Sequence, residues 1–100
     1  MAIGNFTITQ EETKYTIQGR IDSINAVELG QKLEQAVKEG QTHIILNMLQ
    51  VEYLCSTGIR VILKAFKEAQ AAGGNLGIEE PSECVRNVLG LVALNEMLIA

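Results

Sequence analysis

Ile44-Ile45-Leu46 sets three branched apolar residues on consecutive positions, and that run restricts the fold more than any other part of the chain. A strand with one wet face alternates apolar and polar residues, whereas consecutive apolar positions belong to a strand covered on both faces. Helical periodicity lies on each side of the run. Upstream, Ala26, Leu29, Leu33, Ala36 and Val37 fall on one helical face; downstream, Ile59, Ile62, Phe66 and Ala69 do, with Arg60, Lys64, Lys67 and Glu68 turned outward.

The remaining segments extend this alternation. Phe6–Thr9 and Tyr15–Gln18 alternate apolar and polar residues as strands do, and Gln10–Lys14 reads as the turn of an antiparallel hairpin. Gly19–Ser23 is expected to break the second strand. Asn25 followed by Glu28 fits a capping box, Glu28 and Lys32 form an i,i+4 pair, and Gly40 is placed to stop the helix in a left-handed conformation. His43–Asn47 is the next strand and Met48–Leu54 the connection after it. The second helix is expected from about Thr57 to the Gly73-Gly74 stop. Asn75–Glu79 is a short strand, Pro81 opens a third helix that Gly90 ends, and Met97-Leu98-Ile99 is a last short strand. The order β-β-α-β-α-β-α-β predicts an α/β fold for one domain over residues 1–100. Its sheet is mixed and mostly parallel, packed with helices, with the first strand antiparallel.

Composition removes several classes of function. With 47% apolar residues, 4% aromatics and no Trp, the core is aliphatic. A net charge of −4 opposes nucleic acid, whose phosphates need a basic face, and an anionic membrane surface. No apolar stretch approaches the length of a membrane span, and no basic head followed by an apolar run marks a signal peptide, so a cytoplasmic protein is expected. Cys55 and Cys84 are too few for a disulfide framework, and one histidine with no metal-ligand spacing implies neither metal nor cofactor.

Chemistry concentrates at Cys55-Ser56-Thr57-Gly58-Ile59, where strand turns to helix. Unpaired backbone N–H groups make such a turn hospitable to an anion, and the plainest use of a hydroxyl there is to cap the helix. Nucleophilic catalysis needs a base within hydrogen-bond reach of Ser56 or Cys55. His43 lies at the other end of the preceding strand, Glu11-Glu12 and Glu79-Glu80 fall in turns, and no glycine-rich phosphate loop is present. An enzyme is not expected.

Three blocks in order resemble the STAS domain family, whose best-known members are the bacterial anti-sigma factor antagonists. Gly19-Arg20-Ile21-Asp22 with Asn25-Ala26-Val27-Glu28-Leu29 is similar to its first block. Val51-Glu52-Tyr53-Leu54-Cys55-Ser56-Thr57-Gly58-Ile59, after the apolar strand, is similar to its second. Gly73-Gly74 with Pro81–Leu94 is similar to its third. The resemblance implies that Ser56, the first hydroxyl of the second block, is a phosphorylation site. It also implies that the unphosphorylated chain binds a serine kinase which is itself the anti-sigma factor, and that a phosphatase resets the switch. Asp22, Cys55, Ser56, Thr57, Gly58, Arg60 and Lys64 are then the expected partner-binding residues, with Leu49–Leu54 beside them. Where the family pattern carries Asp before the first hydroxyl, this chain carries Cys55. The turn is therefore open to three uses: a phosphorylated switch, a constitutive binding surface, or a redox-sensitive thiol. At the level of the whole chain, the alternatives to the switch are a non-switching accessory subunit of a transporter or lipid-transport complex, and a small-ligand or nucleotide site at the turn.

Overall fold

The computed structural model describes residues 6–41 and 43–91. Its elements run β1 (Thr7–Glu11), β2 (Lys14–Ile21), α1 (Ser23–Lys38), β3 (His43–Leu54), α2 (Ser56–Ala71), β4 (Asn75–Glu79) and α3 (Glu83–Leu91). The four strands form one sheet in the order β1-β2-β3-β4, with β1 antiparallel to β2 and the other pairs parallel. This is the mixed, mostly parallel α/β architecture expected. The strand expected at Met97–Ile99 lies outside the described residues.

The hairpin is tighter than its sequence suggests. Glu11 pairs with Lys14, so the turn is only Glu12-Thr13, with Glu12 in the left-handed region at φ 58° and its carbonyl accepting from Gln10 Nε2 at 2.9 Å. β2 does not break at Gly19. That glycine, at φ 99°, stays paired with Val51, and the strand continues to Ile21.

The largest correction concerns Met48–Leu54, which is not a connection: β3 is 12 residues long and includes it. Lys14 pairs with Ile45, Gln18 with Gln50, and Arg20 with Tyr53. Between Thr16/Gln18 and again between Gly19/Arg20, β3 carries an extra residue. Each such bulge slips the alternation by one and adds local twist.

α1 and α2 pack against each other and the sheet, while α3 lies on β3. Gly30 permits the close approach of the two long helices, since a Cβ there would stand 3.1 Å from Val61 Cγ1. Ile17, Ile21, Leu29, Leu33, Ile44, Leu46, Met48, Ile62, Leu76, Ile78 and Leu89 are the largest fully buried side chains, and no polar side chain is buried among the described residues. The aliphatic core matches the composition.

Helix boundaries differ in detail. Gly40, at φ 92°, and Gly73, at φ 88°, follow the caps of α1 and α2, as a left-handed stop requires. Pro81 lies before α3; the Ser82 hydroxyl accepts from the Val85 N–H at 3.2 Å and α3 begins at Glu83. Gly90 does not end α3, which reaches Leu91. Glu28 and Lys32 form no ion pair; the i,i+4 pair on α1 is Glu34–Lys38 at 3.7 Å.

Candidate functional site

β2 and β3 run parallel, so their carboxyl ends meet at one edge of the sheet, and each leads directly into a helix. Ile21 pairs with Leu54, and the Cys55 N–H donates to the Ile21 carbonyl at 3.0 Å. The starts of α1 and α2 therefore stand side by side. Ligand sites on parallel sheets form at this carboxyl edge, where loops and helix N-termini gather.

Asp22 caps α1. One carboxylate oxygen accepts from the N–H groups of Ile24 at 3.0 Å and Asn25 at 2.8 Å. The capping box expected at Asn25 and Glu28 is not formed: Asn25 is already inside the helix, and its amide donates to the Arg20 carbonyl at 2.8 Å. Asp22 takes the cap because β2 runs to Ile21 and leaves a single extended residue, with φ −90° and ψ −174°, before the helix.

Cys55 caps α2. Its backbone is extended, with φ −83° and ψ 171°, and its sulfur accepts from the Gly58 N–H at 3.4 Å. Ser56 is the first residue of the helix instead of its cap. Its side chain is exposed and has no hydrogen-bond partner among the described residues. Thr57 follows, half-buried. Gly58 is buried, and a Cβ there would stand 2.7 Å from Ile21 Cγ2 and 2.8 Å from Leu54 Cδ1. A residue with no side chain lets the first turn of α2 settle onto the ends of both strands.

Asp22, Cys55, Ser56, Thr57 and Gly58 thus converge at one edge. Arg60 is exposed one turn further along α2. Lys64, two turns along, lines a shallow groove of about 270 Å³ between α1 and α2, with Val27, Gly30 and Val61. His43 opens β3 at the far end of the sheet, roughly 35 Å of strand away from Ser56. Among the described residues no group of His, Cys, Asp or Glu could hold a metal ion, and no helix is long and apolar enough to cross a membrane. Cys55 and Cys84 are both free, half-buried thiols.

Ile24 and Val27, near this edge, escaped the sequence reading, whereas Tyr53 falls within the expected Leu49–Leu54 stretch. Ile24 is 79% exposed and Val27 is 54% exposed, two large apolar side chains on the first turns of α1. Tyr53 is 40% exposed, with the Arg20 guanidinium 4.4 Å from its ring centroid, a cation–π contact that holds both side chains in place. The available signal was negative: Ile24 and Val27 are apolar yet lie off the stripe marked by Ala26, Leu29 and Leu33. Ile24 and Val27, three residues apart, are neighbours on the surface of α1, and exposed apolar side chains that adjoin one another mark contact surfaces.

The profile of the STAS domain matches residues 5–99. The chain belongs to the STAS domain family. BtrV of Bordetella bronchiseptica, provisionally named an anti-sigma factor antagonist, is 32% identical over 72 residues; these make up 72% of this chain and 62% of BtrV, so the match spans less than two thirds of that relative. The anti-sigma-B factor antagonist of Bacillus subtilis is 28% identical over 96 residues, covering 94% of this chain and 87% of that protein. The fold is similar to that of the anti-sigma factor antagonist SpoIIAA in its unphosphorylated form, with a TM-score of 0.79, 23% identity, and coverage of 95% of this chain and 86% of the other. SpoIIAA in its phosphorylated form, described as a Bacillus cell fate determinant, gives a TM-score of 0.74 at 22% identity, covering 95% and 89%.

Proposed function

We propose that this STAS domain, taken as a single domain over residues 1–100, is an anti-sigma factor antagonist of the non-enzymatic kind, switched by phosphorylation of Ser56. One observation carries the reading: the cap of α2 is made by Cys55, so the exposed Ser56 hydroxyl is not engaged in holding the helix. A serine freed from its ordinary structural duty, in the motif position that the family resemblance implies, is available to a kinase. The names of the two curated relatives and the solved phosphorylated and unphosphorylated forms of SpoIIAA support the same reading.

The partner is an anti-sigma factor that is itself a serine kinase. It docks over Ser56 and the surface around it: Asp22, Cys55, Thr57, Arg60 and Lys64, with the apolar Ile24, Val27 and Tyr53. Gly58, being buried, contributes by seating the turn. In the transfer, the Ser56 oxygen bonds to the γ-phosphorus of ATP as the bond to the β-phosphate oxygen breaks, and the hydroxyl proton passes to the kinase. The product carries about −1.5 to −2 additional charges at pH 7. A helix N-terminus tolerates that charge, so the fold is retained, but an interface built on the neutral serine does not. Emptying a mostly occupied complex takes on the order of 3–5 kcal/mol, within reach of a charge buried at an interface that offers it no partner across the seam. A phosphatase restores the binding form.

The test is intact mass after incubation with the kinase and ATP. Wild type is expected to gain one phosphoryl group and Ser56→Ala none. No gain by wild type, or equal gain by the variant, overturns the assignment. Cys55 in the place of the family's Asp favours one second reading, a non-switching subunit of a transporter or lipid-transport complex. Binding that Ser56→Glu leaves unchanged, to a partner that copurifies with a transporter, would establish it.

A further inference from the structure

Arg60 stands four residues after Ser56 on the same helix. Residues at this spacing are neighbours on a helix surface, about 6 Å apart along the axis. Helical side chains lean back toward the N-terminus, so a guanidinium at position 60 is within reach of the turn that carries Ser56. Both residues are exposed. Arg60 has neither ion pair nor hydrogen bond from its side chain among the described residues, where the salt bridges are Lys14–Glu79 and Lys38–Glu34. The other charged side chains near the two caps are committed or lie on other elements. The Asp22 carboxylate is held by two backbone N–H groups, Arg20 lies over Tyr53, and Glu52 is on β3. Position 55 brings no carboxylate next to the serine.

We propose that Arg60 is the intramolecular receptor for the Ser56 phosphate: once formed, the phosphoserine is clamped by the guanidinium one turn along α2. This rests on Ser56 being the modified residue and adds how the modified state is held. The planar fork of an arginine matches two phosphate oxygens, and a phosphate placed opposite an arginine gains charge-assisted hydrogen bonds. The receptor is the guanidinium; the helix end supplies only the position of Ser56. The consequence for the switch is twofold. Phosphorylation adds negative charge to the docking face and, in the same event, withdraws a cation from it. A partner that relied on Arg60 loses that contact whether or not it meets the phosphate directly.

The test uses the full chain with phosphoserine installed at position 56 during synthesis, so it does not depend on any kinase. The second ionisation of the phosphate is followed by its ³¹P shift against pH. An adjacent cation favours the dianion, so the midpoint in wild type is expected about 0.2–0.4 pH unit below that in Arg60→Gln. The difference is expected to shrink in 1 M salt, where the screening length is about 3 Å. Lys67→Gln, which removes the same charge from the same helix at roughly 16 Å from Ser56 along the axis, is expected to leave the midpoint within about 0.1 unit of wild type. Equal midpoints in wild type and Arg60→Gln overturn the clamp. Equal shifts in Arg60→Gln and Lys67→Gln also overturn it, because they report net charge alone. Neither result bears on whether a kinase modifies Ser56, which the mass experiment decides separately.

Discussion

Two helices begin side by side at the carboxyl edge of this sheet, and they are capped by different chemistry. At α1 a carboxylate takes two backbone N–H groups at 3.0 and 2.8 Å. At α2 a thiol takes one, at 3.4 Å. Asp is among the strongest N-caps, while sulfur is a weak acceptor. The strong cap stands where the adjacent residue, Ser23, has no proposed chemistry; the weak one stands next to Ser56. On the proposed function, the difference teaches that the two ends divide their labour. α1 anchors the edge, and α2 leaves its first turn neutral, lightly held and able to accept a charge.

The largest effect should come from placing that charge. Phosphoserine at position 56 is expected to weaken binding of the proposed anti-sigma kinase by roughly two to three orders of magnitude, or about 3–4 kcal/mol, read by calorimetric titration beside the unmodified chain. A change under about threefold would mean that the two helix starts do not differ in function. The anchoring end comes next. Asp22→Ala should cost about 1–2 kcal/mol of stability, a fall in Tm of roughly 5–15 °C for a domain of this size. A loss no larger than that from Cys55→Ala would erase the contrast between the caps.

The seat beneath α2 is tested by Gly58→Ala. The added methyl would approach Ile21 Cγ2 and Leu54 Cδ1 to 2.7 and 2.8 Å, and both of those side chains are buried. Overpacking costs about 1–3 kcal/mol, and the gain in helix propensity returns close to 1. A net loss of about 1 kcal/mol is expected in chemical denaturation. A stabilised variant would show that the turn has room to move and that its glycine serves another purpose.

The same edge shows what could be read from the chain alone. The helical faces were legible because Ala26, Leu29, Leu33, Ala36 and Ile62, Phe66, Ala69 recur at helical spacing and all are buried. The second half of β3 was not. Its exposure alternates through Met48, but from there Leu49 and Gln50 are exposed, Val51 buried, Glu52 and Tyr53 exposed, and Leu54 buried. Two bulges produce that spacing of three, which imitates neither strand nor helix. The caps were ambiguous for a related reason. Asn25 with Glu28 has capping-box spacing, and Asp22 prevails only because β2 reaches Ile21, a fact of pairing with β3 and not of local sequence. Cysteine is not a preferred cap, so the motif directed attention to the Ser56 hydroxyl for a task the neighbouring sulfur performs. The position of Ser56 was visible in the motif; its freedom from capping was visible only in the backbone geometry.

The smallest effect separates a capping carboxylate from one merely paired at the surface. Glu79 lies away from the two caps and pairs with Lys14, while Asn47 Nδ2 donates to it at 3.1 Å. The hydrogen bond from Lys14, then that from Asn47, hold the Glu79 carboxyl below its ordinary value, and the Glu79 contact raises Lys14. A carboxyl lowered in the folded state stabilises above its unfolded pKa of about 4.3, and that contribution disappears as pH falls through the lower folded value. The raised Lys14 acts in the opposite sense: its contribution is complete below about 10.4 and is lost as pH rises through the higher folded value. The Tm difference between wild type and Glu79→Gln should therefore be flat between about pH 5 and pH 9. It should fade at both limits and stay smaller than the Asp22→Ala difference throughout, because a half-buried surface pair still in contact with solvent contributes little. A Glu79→Gln loss as large as that of Asp22→Ala would show that the carboxylate at the start of α1 owes nothing to its two backbone hydrogen bonds, and the contrast between the two caps would reduce to charge.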